Sequence, residues 1–249
     1  MKNLAFLFTI CIMTFGSCSN TNEQNTRYEM PEMNNPDDDT DTTDTDTTTF
    51  KIFALGDSYT IGESVCESCR FPMQLKDSLS NSFNEFEFSL DIIAQTGWTT
   101  TNLINAINTE NPSSDYDLVT LLIGVNNQYQ HKPFELYQNE FPVLIHKAIE
   151  FAKDDKDKII VVSIPDYAYT PFGQSRPNPE TISTELDQYN AFAQSYCEER
   201  GITFVNITDI TRLGLEQTEL VASDGLHPSA LAYSKFVERL LPIAVEKLQ

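Results

Sequence analysis

Ser58, His227 and Asp224 are the residues of this chain whose types and spacing could do chemistry. A serine hydroxyl is a poor nucleophile at neutral pH and needs a base within hydrogen-bond reach. Histidine is the usual base, kept in the right tautomer by a carboxylate. Asp224 and His227 stand three apart in the segment DGLHP, residues 224–228, just ahead of the last helical stretch. In a turn entering a helix, that spacing lets the carboxylate fold back on Nδ1 of its own histidine, leaving Nε2 for Ser58. Acyl transfer also needs donors for a developing oxyanion. The backbone amides of Ser58 and Gly97 and the side chain of Asn126 are the candidates, each such donor being worth roughly 100- to 1000-fold in rate. Plainer readings exist for each piece. Gly56 and Gly124 can simply end strands, His227 can cap a helix, and Asp224 can be its N-cap. Asp57 reads as structural, bonding its own loop, and His131 and His146 lack partners at a useful spacing.

These residues need elements to carry them, and the apolar pattern supplies a regular series. Residues 50–55, 86–94, 117–123 (DLVTLLI), 158–164 (KIIVVSI) and 202–206 read as strands, several of them buried on both faces. Helices are expected over residues 71–79, from a threonine cap at 99 or 100, over 133–153, and over 181–200 with Gly201 closing it. Phe236, Val237, Leu240, Leu241 and Ala244 share one face of a closing helix. Strands alternating with helices imply a parallel sheet covered on both sides, with ligands beyond the carboxyl ends of the strands. Ser58, Gly97 and Asn126 follow the first, second and third strands at those ends.

In order and spacing, the chain resembles the GDSL/SGNH serine hydrolases over nearly all of residues 50–249. Ser58 matches the first block's serine, Gly97 the second block's glycine and Asn126 the third block's asparagine, while Asp224 and His227 match the fifth block's pair. The resemblance implies a three-layer, flavodoxin-like α/β fold with a five-stranded parallel sheet. It also implies a Ser-His-Asp esterase that works without cofactor or metal. Two positions depart from the family pattern. Tyr59 replaces the leucine of the GDSL name, and Asn127 stands where aspartate is usual, so that carboxylate's structural role is lost or altered. No GxSxG elbow, Gly-rich phosphate loop or HExxH is present. The substrates implied are carboxylic esters, with O-acetyl groups on glycans first and lysophospholipid or short-chain lipid esters as the alternative. A non-catalytic carbohydrate-binding module is the rival from another class. Trp98, Tyr129 and the aromatic segment 164–173 could stack on a sugar, line an acyl slot, or simply pack over the sheet end.

The net charge is -21, of which -7 falls in residues 1–49, leaving a domain too acidic to favour nucleic acid. Lys2, the apolar stretch 4–15 and Cys18 resemble a bacterial lipoprotein signal over residues 1–18, with Cys18 the lipidated residue. Phe15 departs from the aliphatic residue usual there. The location expected is the cell envelope, anchored to a bacterial membrane and most simply the outer one. Residues 19–49, including DDDTDTTDTDTTT at 37–49, have no apolar face and read as a disordered tether. In an exported protein Cys66 and Cys69 could be a disulfide, a pair of free thiols, or part of a metal or redox site.

Overall fold

Five apolar runs pair into one sheet because each can bury both faces only between layers of helices. The computed structural model describes residues 48–249; the leader with Cys18 and nearly all of the tether lie outside the described residues. The strands are β1 (Thr49–Gly56), β2 (Glu87–Ala94), β3 (Leu118–Leu122), β4 (Ile159–Val162) and β5 (Thr203–Val205). They lie in the order β2-β1-β3-β4-β5, every pair parallel. Central strands β3 and β4 are buried throughout, whereas the edge strand β2 is mostly half-exposed. Thr49 was expected at the end of the tether, yet it opens β1 opposite Glu87.

Between the strands run α1 (Ser58–Ile61), α2 (Phe71–Ser82), α3 (Thr100–Glu110), α4 (Val125–Tyr129), α5 (Phe134–Phe151), α6 (Pro171–Gln174), α7 (Pro179–Glu198), α8 (Thr208–Thr211) and α9 (Ala230–Leu248). Helices α2 and α9 pack together, and α3, α5 and α7 form a second group. Right-handed crossovers put these two groups on opposite faces of the sheet. The closing helix buries Phe236, Val237, Leu240 and Ala244, with Leu241 half-buried beside them.

Several elements end sooner than the apolar pattern implies, for local reasons. The fourth strand stops at Val162 because, after the Ser163 amide closes the ladder on the Val205 carbonyl, the chain turns to side-chain partners. Ser163 Oγ accepts the amides of Ile207 and Thr208, and the Ile164 amide donates to Asn190. Lys153 and Asp154, both at positive φ, close the segment after α5.

Strand β1 has β2 on one side and β3 on the other, so the direction of winding reverses there. In doubly wound sheets the crevice beyond that point is where ligands bind. Gly56 pairs in register with both Ala94 and Leu122, which brings three strand ends level at that crevice. A Cβ on Gly56 would lie 2.4 Å from the Leu122 carbonyl oxygen, so the close approach requires glycine. Gly124, at φ 133°, has a backbone that a side chain would strain.

Candidate active site

Ser58 is the first residue of α1, directly beyond the end of β1, and is almost fully buried. Asp57 caps that short helix, its Oδ1 accepting the Tyr59 amide at 3.0 Å. It is therefore structural, as its place in the loop suggests. Burial pushes its carboxyl up to about 7, against the amides of Tyr59, Gly124 and Asp57 itself, which favour the charged form.

Past β3, α4 and the residue that follows it, Gln130, carry three amide side chains that hold the backbone beyond β2. Asn126 Nδ2 donates to the Trp98 carbonyl at 2.9 Å, and Gln130 Nε2 donates to that of Gly97 at 2.8 Å. Asn127, fully buried, accepts the Thr100 amide at 2.9 Å and donates to the Thr100 hydroxyl at 2.7 Å. An ionised aspartate could accept both but donate neither, so the carboxamide gives this position an altered role rather than none. Thr99 caps α3 in a reciprocal box with Asn102. The Gly97–Thr100 turn is thus fixed from two sides.

Asp224 and His227 sit on a loop between α8 and α9, pinned by an antiparallel bridge of Val221 to Pro228. Asp224 Oδ1 accepts the amides of Leu226 and His227 at 2.9 and 3.0 Å, and Oδ2 meets His227 Nδ1 at 2.6 Å. Burial alone would raise this carboxyl. The Ser64 hydroxyl, the His227 ring and the two amides outweigh it and hold Asp224 well below the usual carboxylate range. A carboxylate only accepts, so the proton lies on Nδ1 and Nε2 is left as the basic nitrogen. The cap of α9 is Ser229, which accepts the Ala232 amide, so neither Asp224 nor His227 is a helix cap. The tyrosine that replaces leucine, Tyr59, is buried with its ring centroid 5.8 Å from that of His227.

Ser58, Gly97, Asn126 and His227 line one cleft of about 250 Å³, completed by Thr96, Val125, Leu226 and four aromatic residues, Tyr59, Tyr129, Tyr167 and Phe172. A family model of GDSL-like lipases and acylhydrolases matches residues 54–235, which spans every one of these positions. The chain belongs to that family. It is an ester-hydrolysing enzyme. Its fold is similar to that of a lipase from a goat rumen metagenome, at 18% identity and TM-score 0.63, covering 80% of this chain and 100% of the other. A lipolytic G-D-S-L protein from Veillonella parvula is similar at 17% identity and TM-score 0.60, over 79% and 98% of the two chains. An acetylxylan esterase from Geobacillus stearothermophilus is similar at 17% identity and TM-score 0.54, over 80% and 95%. Among curated proteins none matches the chain.

The GDSL-like cleft sorts the aromatic residues that sequence alone left open. Tyr129, Tyr167 and Phe172 face the cleft, while Trp98 packs against the core. The segment 164–173 is anchored by the fully buried Asp166, which pairs with Arg212 Nε at 2.9 Å and accepts from Ser183 at 2.7 Å. His146 is exposed beside Glu150, and His131 is exposed at positive φ. Cys66 and Cys69 form a disulfide with Cα atoms 4.9 Å apart, and Cys197 is a buried free thiol pushed up to about 12 by burial. Two residues that shape the site carry no signal in the sequence. Gln130 and Ser64 are ordinary polar residues in loops, recognisable only by what they touch.

Proposed function

We propose that this GDSL-like enzyme hydrolyses carboxylic esters by two-step acyl transfer. Ser58 attacks the ester carbonyl, and His227 takes its proton and then returns it to the leaving alcohol. Asp224 orients His227 and offsets its positive charge. The amides of Ser58 and Gly97 and the Asn126 side chain stabilise the oxyanion, and water then releases the acid by the same route in reverse. The observation that carries this reading is the meeting of Ser58, Gly97, Asn126 and His227 in one cleft, with Asp224 on Nδ1 of His227.

The substrate class we favour is the O-acetyl group on glycans. A small apolar cleft suits a short acyl chain. Beyond the shared Tyr129 and Tyr167 lies a second, more polar cleft that includes Gln128, Asn178, Thr181 and Glu185, where a hydroxyl-rich alcohol could be held. One observation favours the alternative, a lysophospholipid or short-chain lipid ester. Arg70, Arg200, Arg212 and Arg239 each pair with a carboxylate, while Arg176 lies over the rings of Tyr129 and Phe172 with no carboxylate partner among the described residues. An anionic headgroup would suit it. We further propose export and anchoring to the outer membrane through Cys18, on the strength of the leader alone.

The test is hydrolysis of p-nitrophenyl esters of rising acyl length by the full chain, followed by acetylated xylan and lysophosphatidylcholine. Turnover confined to acetyl and propionyl esters, with acetate released from the glycan, supports the reading. Preference for long chains and the lysolipid moves the assignment to the alternative. Absence of any turnover in folded protein moves the assignment to the carbohydrate-binding module.

A further inference from the structure

The loop between α1 and α2 touches both halves of the proposed machinery. Glu63 accepts a hydrogen bond from Thr96, in the turn that carries Gly97. The next residue, Ser64, donates its hydroxyl to Asp224 Oδ2 at 2.6 Å, the same oxygen that His227 Nδ1 meets at 2.6 Å. The loop is closed by the Cys66–Cys69 disulfide, and Gln74 Nε2 binds the carbonyls of both Cys69 and Ala230. Ala230 begins α9, three residues after His227. The loop is therefore tied on both sides to the segment that carries the catalytic pair.

Ser64 has φ 67°, a left-handed conformation that costs a residue with a side chain and costs glycine nothing. Only the hydroxyl bond to Asp224 gives the side chain a use there. We infer that Ser64 is a positioning residue for hydrolysis, its hydroxyl setting the direction of Asp224 Oδ2 and through it the ring of His227, from a loop the Cys66–Cys69 disulfide holds closed. The inference rests on the Ser58–His227–Asp224 reading above. With Ser64 in place, Oδ2 has two donors and one orientation. Without it, the carboxylate is freer to swing and more basic, so it holds an imidazolium more tightly but less well aimed. The other ionisable groups around the pair are Asp57, Tyr59, Glu63, Asp166, Tyr167 and Tyr233, and a change at position 64 replaces none of them.

The variant that separates positioning from folding is Ser64→Gly in the full chain, because glycine accepts this backbone. The melting temperature should stay level or rise. With p-nitrophenyl acetate, kcat should fall about tenfold while KM stays within about twofold. The acid limb of the kcat/KM profile should move up by roughly half a pH unit. The low-field proton resonance of His227 Nδ1–H should shift in the resting enzyme. Unchanged kcat and an unmoved acid limb would overturn the inference, whatever the melting temperature does. If Ser58→Ala keeps its turnover, the hydrolytic reading has failed instead, and the resonance alone still reports whether Ser64 governs the Asp224–His227 pair. Replacing both Cys66 and Cys69 by alanine should give a smaller loss in the same direction, with nothing added in a Ser64→Gly background. Losses that multiply would remove the disulfide from the inference.

Discussion

The two halves of the candidate site are held in different ways. Ser58, Gly97 and Asn126 project from the ends of three adjacent strands whose register is set along β1 by eight pairs with β2 and five with β3. Asp224 and His227 hang from a loop without regular structure, secured by one bridge, by Gly225 accepting the Phe172 amide, and by the Ser64 hydroxyl. The sheet half has redundant backbone support, and losing one bond there moves little. The loop half rests on a few isolated bonds, backbone and side-chain, so its geometry depends on residues well outside the cleft. The Asp224–His227 pair is thus where changes at a distance should be felt most.

Four variants would break or sharpen this contrast. His227→Ala should lower kcat roughly ten-thousand-fold with little change in melting temperature, since it removes the proposed base and disturbs only the loop. Steady-state kinetics beside a thermal melt decides it, and a melting point that drops sharply would mean the loop is structural support for the sheet. Asn126→Ala should cost about 100- to 1000-fold in kcat, with KM nearly unchanged. A large rise in KM instead would recast Asn126 as a ground-state binding group.

Asn127→Leu tests the sheet half without touching the cleft. It strands the buried Thr100 amide, while the Thr100 hydroxyl keeps its bond to Glu140, and should destabilise by about 1–3 kcal/mol in urea unfolding while sparing most of kcat. Equal losses in stability and rate would show the Gly97 turn to be less redundantly held than the account requires.

Asp57→Asn probes charge beside Ser58. The carboxyl is raised from 3.8 to about 7 in the folded protein, so between those values the folded state binds a proton that the unfolded state has lost. Stability therefore falls as pH rises across that window, by up to about 1.4 kcal/mol per pH unit, and levels off above it. The asparagine variant should lack this slope. Melts of both proteins at pH 5 and pH 8 give the comparison, and parallel pH dependence in the two would show that Asp57 titrates elsewhere.

The same contrast explains what could be foreseen from the sequence. Ser58, Gly97 and Asn126 were legible because each follows an apolar run, and strand ends in such a fold are where chemistry gathers. Asp224 and His227 were legible by spacing, in the turn just ahead of the last helix, which begins at Ala230 with Ser229 as its cap. The short helices α1 and α4 escaped notice because four or five residues have no periodicity to detect. Trp98 could not be told from Tyr129 by type or neighbourhood, since only packing sends one to the core and the other to the cleft. The role of Asn127 turned on a contact with Thr100, 27 residues away, which no local pattern reports. Ser64 is further still from Asp224, at 160 residues.

The most direct test of the central claim is covalent trapping of the nucleophile. The full chain would be treated with a fluorophosphonate, and the adduct counted by intact mass and located by peptide mass spectrometry. One adduct per chain, on Ser58, lost in Ser58→Ala and slowed in His227→Ala, is the result the account predicts. An adduct on another residue, or none in an enzyme that still turns over esters, would contradict it.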